Sequence, residues 1–282
     1  MPFRTLLVVQ AEVRPEAYRT EEAFRERVFA LLKPLEGTPA PRLTAFPELF
    51  GLPLLLHLEE GFRWKDLLKY PFLPWRRARK AYGVFHRVMA EAAQAYGAYL
   101  LAGSLLSPPY EEELSRVRFA RTPLFQNLAL FFNPEGHLLA QVPKMELMPP
   151  ERWLLRGHFG PHLVETRAGR VGILICLDGF YEKHLARLDA LGAEVFLQPS
   201  ANPAPWERPW PWDPTRKEGE VWLASARERL LGRENLRVLL NPMLNGRILS
   251  LAFEGRSGIY APGKALCLAQ SPHGDEALLL TL

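Results

Sequence analysis

Val171-Gly172-Ile173-Leu174-Ile175-Cys176-Leu177-Asp178-Gly179 is an apolar run that leads without a charge into a cysteine, an acid and a glycine. Such a run, bounded by turn residues, predicts a fully buried β-strand. Residues 182–191 then have helical spacing, so Cys176 is predicted to lie on a strand-to-helix turn. Free backbone N–H groups at such a turn stabilise a thiolate and, later in a reaction, an oxyanion. A buried structural cysteine is the alternative interpretation.

The composition is typical of a globular protein with one large core. The 282 residues are 48% hydrophobic and 23% charged and carry a net charge of +4, which predicts a single domain over residues 1–282. The basic patch at 75–80 is short and favours a solvated helix start over a nucleic-acid interface. No segment has the pattern of a membrane span or a signal peptide, so we expect a cytoplasmic protein without a membrane partner. Abundant Arg and Pro are typical of a thermophilic source.

The two cysteines, Cys176 and Cys267, predict neither a disulfide framework nor a zinc site. They form no C-x-x-C pair and have no ligand spacing with histidine. His158 and His162 are four residues apart, but the glycines and proline around them prevent one helical face. We therefore expect no metal. Cys267 lies in an apolar strand and is predicted to be a core residue.

Strands and helices alternate along the chain, and hairpin-linked strand pairs interrupt the alternation. This pattern predicts an α/β fold with mixed sheets covered by helices. Residues 51–75 are predicted to be a long loop with short helical pieces, which could form a flap over a site. Helices are predicted after Thr20 and over 77–96, 182–191 and 217–231. Strands are predicted over 5–10, 43–46, 99–106, 125–132, 137–142, 171–175, 194–198, 236–240, 257–260, 265–269 and 277–281.

Glu48, Lys144 and Cys176 each follow a predicted apolar strand. Sites in α/β folds gather at the carboxyl ends of strands, so these side chains converge if the strands are neighbours. The three form a chemically complete set. A thiol needs a base, which Glu48 supplies, and the negative charge of a tetrahedral intermediate is stabilised by Lys144 and the backbone N–H of Leu177. Glu48 then returns the proton to the leaving amine and activates a water.

The same residues carry a resemblance to a known family. In order along the chain, Phe46-Pro47-Glu48, Val142-Pro143-Lys144 and Ile175-Cys176-Leu177-Asp178 resemble the Glu, Lys and Cys segments of the nitrilase superfamily of carbon–nitrogen hydrolases. The resemblance covers nearly the whole chain. Further matches are Gln10, Gly103-Ser104, Asn127, Glu151, Glu234-Asn235, Asn241, Gly255-Arg256-Ser257 and Pro262-Gly263.

This resemblance implies a four-layer α-β-β-α sandwich that associates into homodimers or larger homo-oligomers. It implies no cofactor and no metal. The implied reaction is hydrolysis of a non-peptide C–N bond in a small amide, an N-carbamoyl compound or a nitrile, with Glu48, Lys144 and Cys176 as the catalytic residues. Glu151 matches a second glutamate that many members carry, and we assign it a supporting role.

The chain departs from the family pattern at two points. Nitrilases usually have Cys-Trp-Glu, and this chain has Cys-Leu-Asp, which favours an amidase or carbamoyl hydrolase over a nitrilase. The segment Gly179-Phe180-Tyr181-Glu182 lacks the usual proline, so the role of Glu182 stays open.

The Pro- and Trp-rich segment 199–216 is predicted to be an irregular loop that sets specificity. Its tryptophans could wall a substrate pocket, and a hydrophobic plug or a subunit contact is the alternative. These tryptophans are Trp206, Trp210 and Trp212.

Two further hypotheses compete with this mechanism. One pairs Cys176 with a histidine, His184, as in Cys-His hydrolases. The other is a non-catalytic member of the fold that binds a small amide or a protein partner in the same pocket. An acyltransferase of the same superfamily is a weaker alternative, because those acting on membrane lipids need spanning helices, which this sequence lacks. A fused synthetase is not expected, because the sequence shows no second domain.

Overall fold

A computed structural model describes residues 3–58, 73–108, 110–113, 116–119, 125–149, 151–160 and 162–282. The α-helices of these ranges are α1 Glu21–Leu32, α2 Leu52–His57, α3 Leu73–Ala95, α4 Glu182–Ala190 and α5 Glu218–Glu228. The strands, β1 to β18 in chain order, are Thr5–Val13, Arg42–Ala45, Ala98–Ser107, Tyr110–Glu113, Arg116–Phe119, Gln126–Phe132, Leu138–Pro143, His162–Thr166, Gly169–Ile173, Val195–Leu197, Pro209–Trp210, Asp213–Lys217, Val238–Asn241, Leu244–Ile248, Leu251–Phe253, Gly258–Ala261, Lys264–Leu268 and Glu276–Thr281.

Two mixed sheets form the centre of the structure. The larger runs β15-β14-β1-β2-β3-β6-β7, and β18 also pairs with β1. The smaller runs β17-β16-β13-β10-β9-β8. Strands β1, β2 and β3 are parallel, and β6 and β7 each reverse direction. Strands β2 and β7 therefore point the same way, and their carboxyl ends lie at the same edge of the sheet.

The alternation of side chains along each strand builds three separate apolar layers. In β1, Leu6 and Val8 belong to the cluster between the sheets, whereas Leu7 and Val9 belong to the cluster that packs under α1 and α3. In the smaller sheet, Ile173 faces the larger sheet, and the adjacent Leu174 packs with residues of α4 and α5. Because successive strand residues point to opposite faces, each sheet is covered on both sides. The predicted α-β-β-α sandwich is confirmed.

Most predicted elements lie within a few residues of the observed ones. The predicted N-cap is confirmed, because the Thr20 hydroxyl accepts a hydrogen bond from the Ala23 N–H at 3.0 Å. The predicted strand 171–175 ends earlier, at Ile173, because a 3-10 helix begins at Cys176. The segment predicted as irregular, 199–216, contains the short antiparallel pair β11–β12.

Three other predictions concern the flap, the burial of Cys267 and the absence of membrane-spanning helices. Residues 51–75 include α2, but 59–72 lie outside the described residues, so the flap stays a prediction. Cys267, predicted to be a core residue, is only half-buried, because it lies on β17 at the edge of the smaller sheet. Within the described ranges, the helices are too short or too polar to cross a membrane.

Gly103 places the chain that follows β2 against β3. Its φ is +76°, and a Cβ built on it would lie 2.1 Å from the carbonyl oxygen of Pro47. The pairing of β3 with β6 shifts register between Leu101 and Ser104 at the same point. Only glycine satisfies both the backbone conformation and the close approach. The residue after Pro47 is Glu48, so Gly103 sets where that carboxylate lies.

We expect Gly103→Ala to destabilise the protein more than Gly37→Ala does. Gly37 has nearly the same φ, +70°, but no atom lies within 4 Å of the added Cβ. Gly37→Ala should therefore lower the free energy of unfolding by about 1–2 kcal/mol, the cost of a left-handed backbone alone. Gly103→Ala should cost at least about 1 kcal/mol more, because Pro47 must move. Urea denaturation followed by circular dichroism measures both; equal losses would contradict a role for the close approach.

Candidate active site

Glu48, Lys144 and Cys176 meet at one buried point of the structure. The Lys144 Nζ lies 2.8 Å from Glu48 Oε1, and the Cys176 thiol lies close enough for the charges of both residues to act on it. The side chains of Glu48 and Lys144 are 2% and 3% exposed, and Cys176 is 9% exposed. The three residues that the sequence places at separate strand ends therefore lie together and are shielded from bulk water.

The position of Glu48 is fixed by β3 and β6. The N–H of Leu49, whose φ is +59°, donates to the hydroxyl of Ser104 at 2.9 Å. The Asn127 side chain donates to Glu48 Oε1 at 2.8 Å. Ser104 therefore holds the backbone and Asn127 holds the carboxylate. These contacts give a physical reason for the Gly103-Ser104 and Asn127 matches in the sequence.

Lys144 is held between two carboxylates. Its Nζ is 2.8 Å from Glu151 Oε1 as well as from Glu48 Oε1. The other oxygen of Glu151 accepts the N–H of Met148 at 2.7 Å, which anchors Glu151 in its own loop. The backbone N–H of Lys144 donates to the carbonyl of Asn127 at 2.8 Å. The predicted supporting residue Glu151 therefore contacts the site directly.

Cys176 opens the 3-10 helix Cys176–Phe180 in a left-handed conformation with φ +48°. Its N–H donates to the carbonyl of Pro199 at 2.8 Å, and its carbonyl accepts the side-chain N–H of Gln198 at 2.8 Å. The Sγ lies 4.0 Å from the carbonyl oxygen of Ala201. The chain after β10 thus fixes both peptide groups that flank the thiol. The N–H of Leu177 is among the first of a helix, where N–H groups have no acceptor within the helix.

Asp178 ties the turn at Cys176 to the segment that follows Lys144. Its carboxylate accepts N–H groups from Met145 at 3.1 Å, Glu146 at 2.6 Å and Ile175 at 3.1 Å. Burial raises the pKa of Asp178 to about 7, against the lowering effect of these N–H donors. Through this one side chain, the lysine and cysteine segments keep a fixed separation.

The electrostatics of the site favour a protonated thiol and a charged lysine. Burial, and then the negative charge of Glu48, raise the pKa of Cys176, and Lys144 opposes both. Burial alone would lower the pKa of Lys144, but the charges of Glu48, Cys176 and Glu151 outweigh it and raise that pKa. Burial raises the pKa of Glu48 as well, although Lys144 acts to lower it. A thiol in this protonated form requires a proton acceptor if it is to act as a nucleophile, and the Glu48 carboxylate is the acceptor that acts on it electrostatically.

The predicted tryptophans have different surroundings. Trp206 is buried and belongs to the same apolar cluster between the sheets as Cys176, and a Cβ on Gly219 would lie 2.3 Å from its indole. The rings of Trp210 and Trp212 pack together at 4.9 Å, and Trp212 is 77% exposed. Of these three tryptophans, only Trp206 therefore lies in the interior.

The alternative nucleophile–histidine pair is not formed. His184 Nε2 lies 2.9 Å from Glu146 Oε1, and Glu146 also pairs with Lys183. The buried His184 on α4 is thus engaged with Glu146, outside the cluster around Cys176. Within the described ranges, His, Cys, Asp and Glu side chains form no group of three or more that could hold a metal ion.

Three contact residues of the site received no role in the sequence analysis. These are Asp178, Gln198 and Arg229, of which Gln198 contacts the Cys176 carbonyl and accepts a hydrogen bond from Arg229. The sequence signal for Asp178 is its place in the Ile-Cys-x-Asp segment. Gln198 ends a predicted strand, as Glu48 and Lys144 follow theirs, and that position is the only signal it offers.

Comparisons with known proteins agree with this architecture. The family model described as carbon–nitrogen hydrolase matches residues 9–229. A search of curated protein sequences gives no significant match.

Among solved structures, the chain is similar to the NitN amidase from Nesterenkonia sp. AN1, with a TM-score of 0.67 and 18% identity over 99% of this chain and 92% of that one. A carbon–nitrogen hydrolase from Helicobacter pylori G27 gives a TM-score of 0.71 and 20% identity over 98% and 87% of the two chains. Nit3 of Saccharomyces cerevisiae, a member of branch 10 of the nitrilase superfamily, gives a TM-score of 0.68 and 16% identity over 99% of this chain and 90% of that one.

At these identities, the structural matches show the fold, and the family model supplies the membership. The match to that model spans β1 to the residue after α5 and includes Glu48, Lys144 and Cys176. The chain belongs to the carbon–nitrogen hydrolase family of the nitrilase superfamily.

Proposed function

We propose that this chain hydrolyses the C–N bond of a small amide or N-carbamoyl compound through a thioester on Cys176. The observation that carries the proposal is the burial, at one point, of a thiol together with a carboxylate–ammonium pair that acts on it electrostatically. Lys144 Nζ lies 2.8 Å from Glu48, and the charge of the same carboxylate raises the pKa of the Cys176 thiol. A purely structural cysteine has no need of a base and a buried cation beside it.

The first half of the reaction forms the thioester. Glu48 takes the thiol proton, and the Sγ of Cys176 attacks the carbonyl carbon, whose π electrons move to the oxygen. Lys144 Nζ and the Leu177 N–H stabilise that oxyanion. As the carbonyl re-forms, the C–N bond breaks, and Glu48 returns its proton to the departing nitrogen. Ammonia or an amine leaves.

The second half releases the acid. Glu48 takes a proton from a water molecule, which attacks the thioester carbon through the same oxyanion geometry. The C–S bond then breaks, and the thiolate recovers the proton from Glu48. One carboxylate therefore acts twice as base and twice as acid. Glu151 supports this by holding Lys144 from the other side, so that the ammonium stays in place while Glu48 changes charge.

Two observations favour an amide substrate over a nitrile. The sequence after the nucleophile is Cys-Leu-Asp, which differs from the Cys-Trp-Glu that is usual in nitrilases. The amidase from Nesterenkonia sp. AN1 shares the fold; one mutant of it shows Michael addition of acrylamide at the active-site cysteine, and another has been solved in complex with butyramide. A short aliphatic amide is therefore the first compound to test.

We expect Cys176→Ala to lose at least about a thousandfold in kcat, because the nucleophile is removed. Glu48→Gln and Lys144→Met should each lose at least about a hundredfold, since they remove the base and the buried cation. The measurement is ammonia release from a panel of small amides, N-carbamoyl amino acids and nitriles.

Cys267→Ala is the matched control and should keep wild-type activity, because Cys267 lies on the edge strand β17. Turnover of nitriles alone would favour the nitrilase alternative. Ligand-induced stabilisation of the wild type without any turnover would favour the non-catalytic alternative and contradict the proposal.

The pH dependence of kcat/KM should have an acid limb above pH 4.5. Burial raises the pKa of Glu48 above the ordinary glutamate value of 4.5. Because Glu48 must be ionised to act as base, activity is lost as the pH falls through this raised pKa. An acid limb centred at or below pH 4.5 would contradict the assignment of Glu48 as the base.

We propose Trp206, rather than Trp212, as a wall of the substrate pocket. Trp206→Phe should raise KM by about tenfold, because it removes part of a large apolar contact surface. Trp212→Phe should change KM by less than about twofold, since an exposed side chain contributes little to burial of a substrate. Steady-state kinetics on the best amide compare the two variants; a larger effect at Trp212 would place specificity at the tip of the β11–β12 hairpin.

A further inference from the structure

The peptide group that joins Cys176 to Leu177 carries two polar atoms with different tasks. Its carbonyl oxygen, from Cys176, accepts the Gln198 Nε2–H at 2.8 Å. Its N–H, from Leu177, is the proposed backbone donor to the oxyanion. Because a trans peptide is planar, these two bonds point in opposite directions along one rigid unit. The hydrogen bond to the carbonyl therefore fixes the direction of the N–H.

The amide of Gln198 has only one usable orientation. Its Oε1 accepts a hydrogen bond from the guanidinium of Arg229, and its Nε2 donates to the Cys176 carbonyl. A guanidinium can only donate and a carbonyl can only accept, so the flipped amide would lose both bonds. A Cβ on Gly179 would lie 2.6 Å from the Gln198 amide, which leaves the side chain no room to move away.

Arg229 is a buried cation whose contacts lead to the nucleophile turn. It is 8% exposed, its NH2 group donates to the Ser225 hydroxyl at 2.6 Å, and its guanidinium stacks on the Phe180 ring at 4.0 Å. Among the described residues, no carboxylate pairs with it. Burial lowers the pKa of Arg229 to about 9, so it is charged at neutral pH. A buried charge without a counter-ion costs free energy, which is consistent with a role beyond packing.

We propose that Gln198 and Arg229 are positioning residues that orient and polarise the Leu177 N–H toward the oxyanion of the hydrolysis reaction. The hydrogen bonds run in one direction, from the Arg229 cation through the Gln198 amide to the Cys176–Leu177 peptide. Each bond strengthens the next, because the donors and acceptors polarise one another. This inference rests on the proposed function, since an oxyanion forms only if Cys176 attacks a carbonyl group.

Such a relay stabilises the transition state more than the bound substrate, because the negative charge develops only during the attack. Loss of the relay should therefore lower kcat and leave KM nearly unchanged. It should also leave untouched any reaction of Cys176 that forms no oxyanion. Alkylation by iodoacetamide is such a reaction, because the thiolate attacks a CH₂ carbon and iodide leaves with the bonding electrons.

The most informative variant is Gln198→Glu. It keeps the shape of the side chain and an acceptor for Arg229, but it cannot donate to the Cys176 carbonyl. We expect kcat to fall about 10- to 100-fold, less than the 10²- to 10³-fold typical of deleting an oxyanion donor, and KM to change less than about threefold.

Arg229→Met should lower kcat by a similar factor, because it removes the charge and frees the Gln198 amide to flip. Arg229→Lys keeps a cationic donor and should recover at least about half of wild-type kcat. Arg227→Met makes the same chemical change at an exposed position of α5, two residues earlier, and should keep wild-type kinetics.

Iodoacetamide labelling provides the second readout. Mass spectrometry of the Cys176 peptide measures its alkylation rate, and the Cys267 peptide serves as an internal reference in each sample. Gln198→Glu should alkylate at Cys176 within about threefold of the wild-type rate while kcat falls. Equal losses of alkylation and kcat would overturn the inference, because the residue would then act on the thiol or on folding.

The outcomes separate this inference from the function it rests on. If the wild-type protein hydrolyses no compound of the panel, the proposed function fails and the relay with it. If the wild type is active and Gln198→Glu keeps full kcat, the relay fails alone. If Arg229→Lys is as impaired as Arg229→Met, a charge-based role for Arg229 is wrong.

Discussion

An ammonium group shared by two carboxylates in the interior is the interaction on which the rest of the site depends. Lys144 has no access to bulk water, so its charge persists only because Glu48 and Glu151 each lie 2.8 Å away. Burying such a group is costly unless its partners are held in place. The neighbouring contacts serve that requirement: Asn127 fixes the carboxylate of Glu48, and Met148 fixes that of Glu151.

The sandwich brings together groups that are far apart in the chain. Glu48 and Lys144 come from one sheet and Cys176 from the other, and the layer between them is apolar. A few polar side chains cross this division. Gln10 on β1 accepts the Ser257 N–H at 2.8 Å, and the Ser257 hydroxyl accepts the Met243 N–H at 2.8 Å. The sheets therefore pack in a fixed register, which a contact distance of a few ångström at the site requires.

The sequence predicts the layers and the converging residues well, because both depend on local signals. Apolar runs mark the strands, and a strand end followed by Glu, Lys or Cys marks a site. The sequence predicts the structure less well where contacts between distant segments determine it. Leu244–Ile248 contains Asn and Gly, which are disfavoured in strands, yet it pairs with β1. Tryptophan is a residue type typical of pocket walls, yet Trp212 lies exposed. Gln198 and Arg229 are 31 residues apart, and no spacing rule connects a glutamine to a buried arginine just after a helix.

The left-handed backbone at Cys176 has a consequence for protein engineering. Glycine adopts φ +48° at little cost, whereas a residue with a side chain does not. A redesign that optimises folding energy alone would favour glycine at position 176 and would remove the thiol. A thermostabilised variant that is to keep the proposed nucleophile must therefore retain Cys176 and take its stabilising substitutions from other positions, because this residue occupies a conformation that an energy function penalises.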